Sequence, residues 1–265
     1  MKNNLLLVLM LALLPTLANA TPPANYKLVW QDEFTEKNLD ASKWKPETYK
    51  RDAARLSANA ATIGNDGLRI TTYTQDGVHH TGFLTSKGLF STTYGYFESM
   101  IRFHGASGQH CAFWLQSPQM GKIIGNPAEG GVETDIIEHR LTDGHDKDIS
   151  NLAAFNLHWD GYGAYHKHAG SQWLAPSSLN NSWHTYAVLW TPAEYIFYVD
   201  DVERWRTNIA VSHTPQELRL TCEVKGPHSW SGTIPEGGYG SEQTSPYGMD
   251  VRWVRIWQKE NSFSH

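Results

Sequence analysis

Three carboxylates, Glu133, Asp135 and Glu138, lie within six residues in a Val/Ile-rich segment that reads as a buried strand. A carboxylate without partners is costly to desolvate, so acids in such a strand suggest a lined cleft in which two of them share a chemical task. The β-branched pair Ile136 and Ile137 favours a strand here. The alternatives are an edge strand with solvated acids and a short helix with an i, i+4 pattern.

The spacing of the acids requires an irregular strand if all three are to act together. In a regular strand Glu133 and Asp135 point to one side, whereas Glu138 points to the other. A β-bulge at Ile136 or Ile137 would return Glu138 to the first side, and bulges are over-represented beside active sites. The sequence therefore predicts a bulged strand with three acids in one cleft.

The first residues have the composition of a secretory signal peptide. Lys2 precedes a ten-residue apolar run, Leu5–Leu14, and residues 18–20 form a small-x-small cleavage site. The run is too short to cross a bilayer, and no later stretch is both long and apolar enough. We expect residues 1–20 to be removed, leaving one domain, residues 21–265, that is secreted or periplasmic and not attached to a membrane.

The charge and cysteine content restrict the partners. The formal net charge is −5 without a Lys/Arg-rich stripe, so we expect no nucleic acid partner and an uncharged substrate. We also expect a monomer. Cys111 and Cys222 fall in strand-like segments of an exported chain, where the alternatives are one disulfide or two buried thiols that never meet. The histidines lack zincin spacing, so His79–His80 and His166/His168 are expected to be loop residues.

Strand signals recur at short intervals with turn residues between them, and helical periodicity is hard to find. Residues 112–115 are candidates for antiparallel pairing with the acidic strand that follows. The other strand-like segments are 68–73, 95–103, 183–190, 195–199, 218–224 and 251–257. This succession predicts an all-β domain, either a two-sheet β-sandwich or a barrel.

Aromatic residues make up 12% of the chain, with eleven tryptophans, and flat aromatic faces are what sugar rings pack against. Trp114 and Trp159 are candidates for ligand contact, with burial in the core as the alternative for each. Period-two alternation directs Asn156 and His158 to one face and Trp159 to the other. We expect His158 to line the cleft, with Trp159 either stacking on the ligand or supporting the histidine from behind.

Several motifs together are similar to those of glycoside hydrolase family 16. The acids match its bulged E-x-D-x-x-E signature, the form of its laminarinase, agarase and carrageenase members. The remaining matches follow in the expected order along the chain: residues 29–34, 39–40, 43–44, 94–98, 112–115, 198–200 and 254–256. The resemblance covers essentially the whole mature chain.

This resemblance implies a concanavalin A-like jelly-roll sandwich with a concave polysaccharide cleft and retaining hydrolysis of internal β-glycosidic bonds. Glu133 would be the nucleophile, Asp135 its hydrogen-bonding neighbour and Glu138 the acid/base. A retaining mechanism needs one ionised and one protonated carboxyl, about 5 to 5.5 Å apart. We expect Asp135 to hold Glu133 ionised and its charge to raise the pKa of Glu138.

The expected substrate is a β-1,3- or mixed-linkage β-glucan. The alternatives are a galactan of the agar or carrageenan type, a transglycosylase on the same fold, and a sugar-binding sandwich without catalysis. Substrate contacts are expected at Trp114, His158, Trp159 and Asn59.

The sequence departs from the family pattern at several places, including Met100 where members often have an arginine. His110-Cys111 stands where members commonly have Trp-Pro, so one cleft wall is expected to differ. Arg252 stands where many members have an aspartate that helps to bind calcium. Glu33 and Asp250 are the alternative ligands for a structural calcium ion. No cofactor is expected to be required for the chemistry.

Overall fold

The computed structural model describes residues 22–260, so the predicted signal peptide lies outside the described residues. Strands make up 51% of the structure and helices 3%, which confirms the all-β prediction. Among the described residues no helix is long and apolar enough to span a membrane.

The strands, numbered in chain order, have the following bounds: β1 Tyr26–Asp32, β2 Lys45–Pro46, β3 Lys50–Arg51, β4 Ala54–Leu56, β5 Ala61–Gly64, β6 Gly67–Thr71, β7 Tyr73–Gln75, β8 Val78–Thr81, β9 Phe83–Thr85, β10 Gly95–His104, β11 Gln109–Gln116, β12 Val132–His139, β13 Leu152–Trp159, β14 Lys167–Leu174, β15 Trp183–Trp190, β16 Tyr195–Val199, β17 Val202–Thr207, β18 Glu217–Val224, β19 His228–Ser229, β20 Gly232–Thr233 and β21 Gly248–Lys259. The helical elements are a 3₁₀ turn, Ala58–Ala60, and the short helix α1, Pro127–Gly130.

Two large antiparallel sheets form the sandwich. The first has the order β17-β16-β15-β10-β21-β6-β5, with β1 also paired to β21, and the second has the order β14-β13-β12-β11-β18-β9-β2. Most neighbours are distant in sequence, as expected for a jelly roll. A smaller sheet, β3-β4-β8-β7, flanks them and contains the parallel pair β4–β8.

Side-chain alternation in the second sheet separates the core from the outer face. On β11, Phe113 and Leu115 belong to the main hydrophobic core, whereas Trp114 belongs to a small separate cluster with Phe83. On β18, Leu220 likewise faces the core. The pairing of β11 with β12, which the sequence predicted, is confirmed. The outer face of these central strands is therefore where a site can form.

Three histidines differ from their expected placement. His79 and His80 lie in β8 and His168 lies in β14, so only His166 of the four is outside a strand. Their prediction as loop residues was wrong because polar strands such as β8 and β14 lack the apolar alternation that marks a half-buried strand.

The two cysteines face each other across neighbouring strands. Cys111 on β11 is opposite Cys222 on β18, and the Cys222 N–H donates to Gly82 on the far side. They are therefore a non-hydrogen-bonded pair, whose Cα atoms lie about 4.5 Å apart, within the range that a disulfide spans. Both are free thiols in the structure, with their sulfur atoms 2.8 Å apart. A disulfide in the exported protein stays a prediction.

If that bond forms, reduction should destabilise the protein. The bond would close a loop of 111 residues, which is worth about 4 to 5 kcal/mol of unfolding free energy in the chain-entropy model. We therefore expect a reductant to lower the melting temperature of the wild type but not of the double variant Cys111→Ala/Cys222→Ala. Two free thiols titrated in the denatured, unreduced protein would exclude the disulfide.

Candidate active site

The acidic strand β12 contains the predicted bulge. On the β11 side, Asp135 is opposite Trp114 and Ile137 is opposite Phe113, which leaves Ile136 without a partner. Ile136 and Ile137 are both fully buried in the core between the sheets. Two consecutive side chains that point inward reverse the alternation, as a bulge requires.

The bulge brings the three acids to one pocket. On the β13 side, Asp135 is opposite Asn156 and Glu138 is opposite Ala154, so three residues of β12 cover two of β13. Glu133, Asp135 and Glu138 line a pocket of about 260 Å³ on the outer face of the second sheet. Around them stand Trp114, Tyr162, His110, Glu223, Lys225 and Trp230.

Glu133 is held by a tyrosine from the loop after β13. The Tyr162 hydroxyl donates to Glu133 Oε2 and lies 3.1 Å from Gln116 Oε1. The pKa of Glu133 is raised to about 8, mainly by burial and also by the charge of Asp135, while Tyr162 and nearby cationic groups oppose the rise. A hydrogen bond to the ionised form thus offsets part of the desolvation cost.

The loop that carries Tyr162 is fixed at its base. The buried carboxylate of Asp160 accepts hydrogen bonds from the Gly125 N–H and from Lys167 Nζ, each at 2.8 Å. Gly161, with φ of +75°, crosses Gly121 so closely that a Cβ on Gly121 would lie 3.0 Å from its Cα. Tyr162 therefore reaches Glu133 from a fixed turn although 64% of the residue is exposed.

Asp135 is the acid best placed to keep a proton. It is buried, its Oδ2 has no hydrogen-bond partner, and this oxygen lies 3.4 Å from His158 Nε2 in a contact without good donor geometry. Burial and the charge of Glu138 raise its pKa well above the ordinary value. Once Asp135 is protonated, its charge no longer raises the pKa of Glu133, so the coupled group favours an ionised Glu133.

Glu138 has a different environment from that expected. Asn156 Nδ2 donates to its Oε2, and His110 Nε2 lies 2.8 Å from its Oε1, although the ring is not oriented for a linear hydrogen bond. Burial alone would raise its pKa, but His110 and Asn156 lower the pKa to about 2. The expectation that Asp135 raises the pKa of Glu138 therefore does not describe the free site.

This low pKa depends on the charge of His110. Removing water from the pocket favours the neutral groups, because desolvation penalises the charged forms. A bound molecule that displaces water from the pocket would thus raise the pKa of Glu138.

The structure separates the predicted substrate-binding residues into three groups. Trp114 lines the pocket, and His158 faces it through its contact with Asp135. Trp159 is partly buried and packs against the core, which fits the alternative that it supports His158 from behind rather than stacking on the ligand. Asn59 lies outside the pocket of the acids and lines a separate depression with Tyr73 and His80.

The expected calcium ligands are occupied by cationic side chains. Arg255 binds both oxygens of Glu33, at 2.7 and 2.8 Å. Asp250 is bound by Arg69, Arg102 and His104. These carboxylates do not fit calcium, because their oxygens are already neutralised.

Stability should therefore not depend on calcium. We expect the melting temperature to be the same after dialysis against EDTA and after addition of CaCl₂, because arginines already satisfy Glu33 and Asp250. Differential scanning fluorimetry measures this directly. A rise on addition of CaCl₂ that EDTA reverses would contradict it.

Sequence reasoning missed the residues that reach the acids from distant parts of the chain. Tyr162 lies in a Gly-rich turn, and its neighbours Asp160 and Gly161 were the available signal. The guanidinium of Arg219 lies 4.5 Å from the Trp114 ring centroid and interacts with Glu133. Trp230 is 49% exposed at the pocket. Their proximity follows from the strand order, which the sequence did not reveal.

Tyr162→Phe should move the pH dependence of activity. The tyrosine hydroxyl stabilises ionised Glu133, so its removal raises the pKa of Glu133 and shifts the acidic limb of kcat/KM to higher pH. A hydrogen bond to a charged group predicts a shift of about 1 to 2 pH units. Tyr165→Phe is the matched control, since Tyr165 is equally exposed on the same loop. An unmoved limb in Tyr162→Phe would contradict this role.

The comparisons with known proteins identify the family of this chain. The family model for the GH16 domain of β-porphyranases A–D matches residues 28–259. A keratan-sulfate endo-1,4-β-galactosidase of Sphingobacterium multivorum is 25% identical over 91% of this chain and 58% of its own length. A κ-carrageenase of Pseudoalteromonas carrageenovora is 27% identical over 86% of this chain and 63% of its own length. An endo-1,3-1,4-β-glycanase of Rhizobium meliloti is 31% identical over 65% of this chain and 34% of its own length. The chain thus spans between a third and two thirds of these relatives.

Solved structures confirm the fold. Porphyranase B of Zobellia galactanivorans is 23% identical with a TM-score of 0.71, covering 88% of this chain and 92% of that structure. A mixed-linkage glucan GH16 enzyme of Bacteroides ovatus, in complex with a product, is 21% identical with a TM-score of 0.70, covering 86% and 99%. These match the two-sheet jelly roll, and the family model covers nearly all the described residues. This chain belongs to glycoside hydrolase family 16.

Proposed function

We propose that this protein is a retaining endo-β-glycosidase that cleaves internal bonds of a polysaccharide by double displacement. The observation that carries the proposal is the bulge in β12, which places Glu133, Asp135 and Glu138 in one pocket. A non-catalytic sugar-binding sandwich would have no need for three buried acids, since each raises the cost of folding.

The first chemical step uses Glu133 and Glu138. Ionised Glu133 attacks the anomeric carbon, the bond to the leaving oxygen breaks, and that oxygen takes the proton of Glu138. His110 and Asn156 hold Glu138 in place, and Tyr162 holds Glu133. The product is a covalent glycosyl ester on Glu133.

The second step reverses these roles. The Glu138 carboxylate takes a proton from water, the water oxygen attacks the anomeric carbon, and Glu133 leaves as a carboxylate. Asp135 keeps its proton through both steps and can donate it in a hydrogen bond to the Glu133 carboxylate. A sugar hydroxyl in place of water would give transglycosylation.

We place a β-galactan with anionic groups ahead of the β-glucan that sequence reasoning ranked first. The family model describes porphyranases, and two relatives are named for keratan sulfate and κ-carrageenan. The pocket also carries an exposed Trp230 with Arg140 at 4.6 Å and Lys225 at 5.8 Å from its ring centroid. A tryptophan face can stack on a sugar while the flanking Arg140 binds an anionic substituent. Lys225 is paired with Glu223 and Asp52. The negative charge of the whole chain does not describe this local region.

A substrate panel tests the proposal. The mature protein should release reducing ends from keratan sulfate, κ-carrageenan, porphyran or agarose, with early products of intermediate size, as internal cleavage requires. Mixed-linkage β-glucan and laminarin form the second arm, because the Rhizobium relative is named for that linkage. Activity on the glucans alone would overturn the galactan assignment. The signal-like composition of residues 1–20 supports export, which cell fractionation of the full-length chain would test.

A further inference from the structure

We propose that Glu133, Asp135 and His158 form a binding site for one divalent transition metal ion, with Zn²⁺ as the representative ligand. An ion at this place would block the cleft and compete with the polysaccharide. The inference uses the residues of the proposed function, but it requires no hydrolysis.

The three side chains converge from two paired strands. Glu133 on β12 is directly opposite His158 on β13, and Asp135 lies on the same face two residues further along. Each offers one ligand atom, and these atoms all lie within 4.8 Å of one another. Within residues 22–260, this is the one group of at least three His, Cys, Asp or Glu side chains with that proximity.

An unpartnered oxygen points into this group. Asp135 is only 4% exposed, and its Oδ2 has no hydrogen-bond partner. His158 Nε2 lies 3.4 Å from this oxygen. If that nitrogen carries a lone pair, two electron-rich atoms face each other in a buried place, and a proton or a cation is needed between them.

A second histidine orients the first in the way that metal sites require. His158 Nδ1 lies 2.9 Å from His166 Nε2, and the two rings stack with centroids 5.1 Å apart. When Nδ1–H donates to His166, the lone pair of His158 is on Nε2, directed at Asp135. Metal-bound histidines characteristically donate their other N–H to an acceptor, which fixes the tautomer.

The donor set selects the kind of ion. The ion displaces the proton of Asp135, and the two carboxylates then neutralise its charge of +2. One imidazole with two carboxylates suits Zn²⁺, and it disfavours Ca²⁺ and Mg²⁺, which prefer oxygen ligands alone. Three protein ligands leave a position open to solvent.

Isothermal titration calorimetry of the mature protein with ZnCl₂ tests the site. His158→Gln removes the nitrogen ligand. We expect it to raise the Kd of one bound Zn²⁺ ion by more than about 10- to 100-fold, which is the loss typical when a residue that only supports a metal ligand is changed. His166→Ala removes only the support of His158, so it should raise the Kd for Zn²⁺ by about 10- to 100-fold. His168→Gln is the matched control, because His168 is opposite His158 and near it but lies outside the group. The control should bind like the wild type.

The outcomes separate this inference from the proposed function. Glu138→Gln should still bind Zn²⁺, so the measurement does not require activity. Equal Zn²⁺ titrations for wild type and His158→Gln would overturn the site, whether or not the protein hydrolyses a polysaccharide. Where a substrate has been identified, Zn²⁺ should raise KM without changing kcat, and this effect should be lost in His158→Gln. A fall in kcat at constant KM would overturn the competition.

Discussion

Glu133→Ala should abolish turnover while leaving the protein at least as stable as the wild type. Loss of the nucleophile from a set of catalytic residues that act as a unit lowers kcat by on the order of 10⁵-fold. The effect on stability has the opposite sign, because burial raises the pKa of Glu133 from 4.5 to about 8. A carboxyl with a raised folded pKa lowers stability as the pH rises above its unfolded value. The stabilisation in Glu133→Ala should therefore be absent near pH 4 and grow toward pH 8.

Azide distinguishes loss of the nucleophile from general damage. In Glu133→Ala a small anion can attack from the face that Glu133 occupied, so an activated β-glycoside should yield the α-glycosyl azide. Steady-state kinetics check the loss of turnover, and thermal melts at several pH values check the change in stability. The anomeric configuration of the azide product checks the identity of the nucleophile. Substantial residual hydrolysis in the folded variant would assign the nucleophile elsewhere.

Much of the fold could be predicted from local patterns. The segments 183–190 and 195–199 are strands with the predicted bounds, and 95–103 is one residue short of β10. Their alternation and turn residues are local signals, so a single sequence is sufficient to find them. The order of strands in each sheet depends on long-range packing. That order brings β18 beside β11, and with it Arg219 beside Trp114.

The candidate site shows the same division. The bulge at Ile136 or Ile137 followed from the chemical requirement that Glu138 join the other acids, and period-two alternation placed His158 and Trp159 on opposite faces. The partners of the acids were beyond local reasoning. Tyr162 reaches Glu133 only because Gly161 crosses Gly121, and His110 meets Glu138 from a neighbouring strand. These contacts decide the pKa values, which is why the predicted pKa of Glu138 had the wrong direction.

Glu138→Gln should discriminate between substrates by their leaving groups. A polysaccharide leaving group needs a proton from Glu138, so its turnover should fall by about 10²- to 10⁴-fold, the usual contribution of a general acid. A β-aryl glycoside with an acidic phenol leaves without that proton. Its first turnover should remain fast and appear as a burst of phenol, followed by slow hydrolysis because water also lacks its base.

Azide again identifies the residue, with the opposite stereochemistry. In Glu138→Gln the covalent intermediate on Glu133 still forms, and azide can attack it without a base, so turnover of the aryl substrate should recover and yield the β-glycosyl azide. Asn156→Ala is the matched comparison, because it removes the amide that donates to Glu138 but leaves the carboxyl in place. That variant should keep most of its activity on aryl substrates and show no azide rescue. Equal losses of Glu138→Gln on polysaccharide and aryl glycoside, without a burst, would remove Glu138 from the acid/base role.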